Sequence, residues 1–424
     1  NDEQNLRAEP YLVMAASASS RQHPEIFFAK ELSARAAKRL PLSEQLLGFY
    51  CNAGIEPSEF DENDVAGRTN QDKAFIAGPL YPRDTGDANV KEWICAGVLD
   101  GLGLHGEVIS EFCASQLVSA LQDHPMRITK PSAALKDAFF KTDDAMRRHD
   151  ELKISAVSSG CTACVAVLHR YSLYLAQLGD TGAVLGKRRT IVGGEDASGV
   201  KSYSVVAKKL TREHTPTNLV ERARCLSKGA HVSPESEPGL ADARVWRNPE
   251  MTELGLTVSR SLGHHGARSI GVTAEAEVRE ILLTPEDIFL IIGTDGLWQY
   301  MDPQEACEVV YSEMEHEDGT AGRSTANGGG GGRFASRAAA RLMEIAISRW
   351  REEEDDFRDD ISVVVLSLPV THEEDNSAGP SLFRGEIKSA FSGRSVARKK
   401  VVSVREAKST QAGTQHPGRS EDTL

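Results

Sequence analysis

Four aspartates, Asp72, Asp100, Asp295 and Asp359, each stand at the edge of an apolar, strand-length run, and these runs are spread across most of a 424-residue chain. Taken singly, an aspartate beside a strand is ordinary turn chemistry, and Asp100–Gly101 and Asp295–Gly296 are common turn pairs. The recurrence is more demanding. It asks for a fold in which the ends of separate strands converge on hard cations, for which carboxylate, carbonyl and water oxygens are the preferred ligands. Two cations held about 4 Å apart can acidify a water and clamp both sides of a phosphoryl displacement. Asp100 anchors this reading, in "GVLDGLGLHGE" (97–107), where an apolar run ends and a helix opens.

The rest of the chain supplies the layers. Ala74 to Ala77 follow Asp72 as a strand, and Trp93 to Leu99 form the strand before Asp100. Gly106 to about His124 reads as an amphipathic helix with Val108, Ile109, Phe112, Leu117, Val118 and Leu121 inward. A second helix is expected from about Ser132, its N-cap, to about His149, with Leu135, Phe139, Phe140 and Met146 inward. Residues 159–185 give three β-rich runs joined at His169–Tyr171 and Gly179–Asp180–Thr181, an antiparallel meander. A short helix over Asn218–Lys228 ends at Gly229. The stretch 241–272 has little regular periodicity, which in a compact domain marks a functional surface. "IFLIIG" (288–293) leads to Asp295. Helices over Pro303–Glu313 and Arg337–Glu352, the latter with Ser336 as N-cap, precede Asp359, Asp360 and a last apolar strand.

Composition matters mainly for what it excludes. A formal net charge of -13, with no basic concentration across the body of the chain, argues against a general nucleic-acid partner. No apolar run reaches the ~20 residues of a membrane helix, so the protein reads as soluble. Seven cysteines without framework spacing suit a reducing compartment, cytoplasmic or nuclear. Cys161-x-x-Cys164 continues into a buried strand and reads as structural. Residues 1–60 are expected to be an N-terminal helical extension, with helical spacing over 25–50, and 61–369 the main domain. Within it, 316–334 is a flexible Gly-rich insert. Residues 370–424 read as a disordered basic tail whose stretch 396–405 is solvated, with an acidic surface or partner as its possible contact. Any targeting signal upstream of Asn1 is out of view.

In order, the blocks "NQD" (70–72), "GVLDGLG" (97–103), "SGCTACVAVL" (159–168), "YLAQLGDTGAVL" (174–185), "LTREHTPTNLVERARCLSKGAHV" (210–232), "RVWRNPEMTELGLTVSRSLG" (244–263), "GVTAEAEV" (271–278), "FLIIGTDGLWQYMDPQEACEVV" (289–310) and "DDISVVVL" (359–366) resemble the metal-dependent protein phosphatases of type 2C. The resemblance covers about residues 68 to 368. It implies an α+β, four-layer α-β-β-α sandwich of two antiparallel sheets flanked by helix pairs, and hydrolysis of phosphoserine and phosphothreonine in proteins by a two-metal-activated water without a phosphoenzyme. Asp100 is then the catalytic ligand shared by two Mg²⁺ or Mn²⁺ ions. Asp295 and Asp359 complete one ion, and the Gly101 carbonyl and Asp72, directly or through water, serve the other. Asp180 matches a third, weaker site, and Arg68 lies near the family's phosphate-binding basic residue.

The chain departs from the family pattern at four positions. Leu102 stands where many eukaryotic relatives carry a histidine that acts as general acid, although bacterial-type members also carry an apolar residue there; His105 lies three residues on. Gln299, His264 and Gly182 replace two usual acids and an arginine. These changes motivate an alternative, a pseudophosphatase that uses the same sandwich as a protein-binding module with reduced or no turnover.

Overall fold

The computed structural model describes residues 11–14, 47–57, 65–78, 93–195, 201–233, 243–321 and 334–368. All belong to one compact unit within Asn1–His372.

In chain order the first strands are β1 (Tyr11–Met14), β2 (Leu47–Asn52), β3 (Ile55–Pro57), β4 (Val65–Gly67), β5 (Lys73–Gly78) and β6 (Ile94–Leu102). Helices α1 (Gly106–Gln122), α2 (Pro131–Arg148) and the short α3 (Leu152–Ser155) follow. Then come β7 (Gly160–His169), β8 (Ser172–Leu178), β9 (Gly182–Glu195), β10 (Lys201–Lys209) and helix α4 (Leu219–Ser227). The short strands β11 (His231–Val232), β12 (Val245–Trp246) and β13 (Leu262–Gly263) cross the irregular stretch, which ends in a 3₁₀ turn at His265–Ile270. The chain closes with β14 (Glu277–Leu282), β15 (Asp287–Gly293), α5 (Asp295–Trp298), α6 (Pro303–Ala321), α7 (Phe334–Glu354) and β16 (Ile361–Ser367).

Two antiparallel sheets result, one in the order β1-β5-β6-β7-β8-β14 with β13 beside β7, the other β10-β9-β15-β16-β2. Ile109, Cys113, Leu117 and Leu121 of α1, with Leu135, Phe139 and Met146 of α2, pack on Phe75, Leu99, Cys161 and Val165 of the first sheet. Helices α6 and α7 cover the second sheet through Val310, Leu342, Met343 and Trp350 against Phe289, Ile291, Val363 and Val365. The inward faces meet in a third core of Ile76, Val98, Cys164, Leu175, Leu290, Ile292 and Val364. Strands covered on both faces read as unbroken apolar runs, as "ISVVVLS" does. The expected α-β-β-α sandwich is therefore present.

Several local expectations are corrected. Residues 11–14 and 47–52, placed in a helical extension, are strands bonded to β5 and β16; residues 15–46 lie outside the described residues, as do 369–424. The three runs over 159–185 do not form one meander. β7 and β8 pair as a hairpin, but β9 pairs with β15 and β10 of the other sheet, so Gly179–Asp180–Thr181 is an arch between sheets. Helix α2 begins at Pro131, whose fixed φ and missing N–H suit the first helical position, and Ser132 is not its cap. Asn218 does cap α4, accepting from the Val220 N–H at 3.1 Å. Helix α6 runs into the expected Gly-rich insert as far as Ala321, and residues 322–333 lie outside the described residues. Val108 and Phe140 face solvent rather than the core, at 45% and 42% exposure.

The irregular stretch is fixed to α2 by Asp143. Its Oδ1 accepts from the Gly263 N–H at 2.9 Å, Arg268 Nη2 at 2.7 Å and His265 Nε2 at 3.2 Å. Burial pushes the Asp143 carboxyl up, but the His265 hydrogen bond and the Arg268 charge outweigh it and hold it at about 2. A depressed acid contributes stability above its unfolded value and loses it as pH falls through the folded one. Asp143→Asn should therefore cost roughly 2 kcal/mol at neutral pH, read by urea unfolding, and the gap from wild type should close as pH falls from about 4 towards 2. His264 belongs to the same packing. Burial first, then the Arg268 and His265 charges, lower it to about 3, so it is a neutral core histidine bonded to Ser261 Oγ at 2.9 Å.

Candidate metal centre

The ends of β6, β8, β15 and the start of β16 meet at one end of the space between the sheets. Lys73 pairs with Leu99 and Asp100 with Thr162, so Asp72 enters beside Asp100. Gly101 lets α1 start against this strand. A Cβ there would stand 2.5 Å from the Gly106 carbonyl carbon and 2.6 Å from the Gln71 carbonyl oxygen. Asp295 opens α5 directly after Thr294, and Asp180 is carried by the arch between sheets.

Asp100, Asp180 and Asp295 each offer a carboxylate oxygen within 4.8 Å of the others. Asp72 is buried behind them. Its Oδ2 accepts from Thr294 Oγ1 at 2.9 Å, and its Oδ1 is buried with no hydrogen-bond partner. Asp359 lies at the rim, its Oδ1 3.1 Å from Arg68 Nη1. The Arg68 guanidinium also sits over the Phe357 ring, 5.2 Å from its centroid. All the acids assigned from sequence, with Gly101 and Arg68, thus lie at one place, and the arch brings Asp180 into the tightest trio.

The electrostatics are those of crowded, buried carboxylates. Burial raises the Asp100 carboxyl well above the usual carboxylate range, and the charges of Asp295, Asp72, Asp180 and Asp359 raise it further. Burial likewise raises Asp72, with Asp360 and Asp359 as the repelling neighbours, and Asp295, with Asp180, Asp359 and Asp72. So many carboxylates cannot all ionise together in a low-dielectric space. Hard divalent ions would reverse that penalty and supply a partner for Asp72 Oδ1, so the residues present fit such ions.

Two supporting residues carry no signal of their own in the sequence. Asp360 offers itself only as the neighbour of Asp359, yet its buried carboxylate accepts the Gly54 N–H at 2.6 Å and the Gln71 N–H at 2.7 Å. It thereby locks the segment before Asp72 to the start of β16. Thr294 links β15 to Asp72 and also accepts the Ser362 N–H at 3.0 Å. The doubled aspartate before a buried strand was the one available hint. Leu102 is half-buried at the end of β6, and Gln299 is exposed after α5.

Residues 68–354 match the sequence profile of Protein phosphatase 2C. The chain belongs to the protein phosphatase 2C family. It is 28% identical over 322 residues to Probable protein phosphatase 2C 35 of Arabidopsis thaliana, covering 72% of this chain and 80% of that protein. Identity to Probable protein phosphatase 2C 64 of Oryza sativa subsp. japonica is also 28%, over 349 residues, 77% of this chain and 72% of that one. The crystal structure of serine-threonine phosphatase 2C from Toxoplasma gondii shares the fold, with a TM-score of 0.57 at 18% identity, over 78% of this chain and 97% of that chain. Membership makes this protein phosphatase 2C relative a hydrolase of the metal-dependent protein phosphatase class, and the acidic cluster is where it could hold metal. Among the described residues no helix is long and apolar enough to cross a membrane.

Proposed function

We propose that the chain hydrolyses phosphoserine and phosphothreonine in proteins with two Mg²⁺ or Mn²⁺ ions. The observation that carries this reading is the convergence of Asp100, Asp180 and Asp295 within 4.8 Å beside a buried Asp72 oxygen without a partner. Asp100 would be the ligand common to both ions, Asp295 and Asp359 would help to hold one, Asp72 and the Gly101 carbonyl the other, and Asp180 would be available to a third. When bound, the ions neutralise the phosphoryl oxygens and acidify the attacking water, so no phosphoenzyme is needed.

The chain's own residues orient and exclude. Thr294 fixes the Asp72 carboxylate, and Asp360 fixes the backbone before it, at Gly54 and Gln71. Arg68, held by Asp359 and Phe357, presents a planar fork to the substrate phosphate. Leu102 delivers no proton to the leaving alkoxide. The seven unpaired thiols support a reducing compartment, cytoplasm or nucleus.

The test is hydrolysis of phosphoserine and phosphothreonine peptides by the full chain. Phosphate release should require Mn²⁺ or Mg²⁺ and stop on chelation. No release with either ion, while calorimetry shows Mn²⁺ bound, would leave a binding module instead. Arg68→Ala should raise KM for the phosphopeptide about 10-fold and change kcat less, since losing a charge-assisted contact costs about 1.5–3 kcal/mol. A kcat loss with unchanged KM would contradict that role.

A further inference from the structure

The turn that follows the Asp100 strand carries a large apolar side chain outward: Leu104 is 81% exposed. Printed contacts fix this turn on two sides. Gly103 has φ +89°, and a Cβ there would fall 3.0 Å from both the Ser158 carbonyl oxygen and Ser159 Oγ. The His105 N–H donates to Ser159 Oγ at 3.1 Å. On the other side Gln71 Nε2 donates to the Gly103 carbonyl at 2.9 Å. The turn thus bridges the residue before Asp72 and the end of the connection between α3 and β7.

That connection also turns apolar side chains outward. In α3, Leu152 and the following Ala156 join the core of α1, α2 and the first sheet, which leaves Ile154 on the opposite side at 76% exposure. Val157, whose N–H donates to the Ile154 carbonyl at 3.1 Å, is 47% exposed and directly precedes Ser158. Polar groups border the three. Lys153 pairs with Asp150 at 2.8 Å, the Gly266 N–H donates to the Val157 carbonyl at 2.9 Å, and Arg247 Nη2 donates to the Gly266 carbonyl. A single exposed leucine is ordinary, whereas neighbouring apolar side chains with a polar rim mark an interaction surface.

Its position says what covers it. Leu104 is four residues beyond Asp100, so their Cα atoms are at most about 14 Å apart. A substrate chain that brings a phosphorylated residue to the acidic cluster must lie over the rim of the site, and it covers that distance in about four residues. We propose that Leu104, Ile154 and Val157 dock an apolar side chain of the phosphoprotein substrate, about two to four residues from the phosphorylated one. The phosphatase reading supplies this occupant, and the proposal rests on it. The substrate class is then phosphosites flanked by leucine-like residues. Such a contact is made equally before and during reaction, so it acts through KM rather than kcat.

The test uses the full chain with Mn²⁺ and matched phosphothreonine peptides, one carrying leucine and the other serine, two to four residues before or after the phosphothreonine. In wild type the leucine peptide of one pair should have a kcat/KM about 10-fold higher, the order expected for partly burying one leucine. In the double variant Leu104→Ser, Ile154→Ser that ratio should fall to about 1. Each ratio compares two peptides on one enzyme, so a loss of active protein does not imitate the effect. A ratio near 1 for every wild-type pair, or one that survives in the double variant, overturns the docking surface. Sedimentation velocity covers the other occupant: a wild-type dimer that the double variant dissociates, with the peptide ratio untouched, assigns the face to a second copy and overturns the proposal. Fluorescence anisotropy of the labelled peptides needs no turnover. An inactive wild type that binds the leucine peptide more tightly, with the difference lost in the double variant, overturns the phosphatase reading and leaves the docking surface in place.

Discussion

Asp100→Asn should abolish phosphatase activity, lowering kcat by about 10³-fold or more, and at the same time raise the melting temperature of the metal-free chain. The first effect follows because Asp100 is the proposed shared ligand, so its loss weakens both proposed ions together. The second follows from the same cluster seen without cations. Asp100 is buried, and its carboxyl is raised by burial and by Asp295, Asp72, Asp180 and Asp359. An asparagine of the same shape removes one of the repelling charges. A gain of about 2–4 °C is the expected order for a change near 1 kcal/mol in a domain of this size. The two outcomes have opposite signs, which separates a ligand from a residue that merely supports the fold. An inactive variant that melts lower than wild type would place Asp100 among the structural residues.

The second large effect is the dependence of stability on metal and pH together. In the metal-free chain Asp72, Asp100 and Asp295 have raised folded-state values. A raised acid contributes stability below its unfolded value, and that contribution is lost as pH rises through the folded value. Chelated protein should therefore melt progressively lower from about pH 4 upwards. With Mn²⁺ the sign inverts, because ligands must be deprotonated to bind. At a free concentration of 100 times Kd each site adds about 2.7 kcal/mol, and two sites roughly 10–20 °C. Calorimetric melting curves with chelator and with Mn²⁺ should thus diverge as pH rises. Parallel curves would mean that these carboxylates do not hold the ion.

How much of this was legible in the chain depended on the range of the interaction. The four strand-end aspartates, the helix pair over 106–148 and the last strand could be read directly, because periodicity and turn chemistry are local. The arch at Gly179–Asp180–Thr181 could not. A hairpin and an arch share the same Gly-Asp-Thr, and only the partners of β9, on β15 and β10, distinguish them. That is why Asp180 reads as a peripheral ligand in sequence and sits in the central trio in the fold. Asp360 was hidden for a related reason. Its partners, the N–H groups of Gly54 and Gln71, lie about three hundred residues earlier. Val108 and Phe140 show the opposite limit: helical spacing includes them on the inner face, but neighbouring side chains fill it first.

The position of β2 has a consequence for the newborn chain. Among the described residues β2 bonds to no strand except β16, residue 361 against 52 through 366 against 47, so that pairing waits until almost the whole domain has left the ribosome. At about 5–20 residues per second this is a wait of roughly 15–60 s with an open strand edge. The same closing step brings Asp359 and Asp360 to the other acids. The charge crowding is therefore imposed last, after both helix-covered halves have had time to form. A chain cut short before Ile361 would present an unpaired strand to chaperones and proteases.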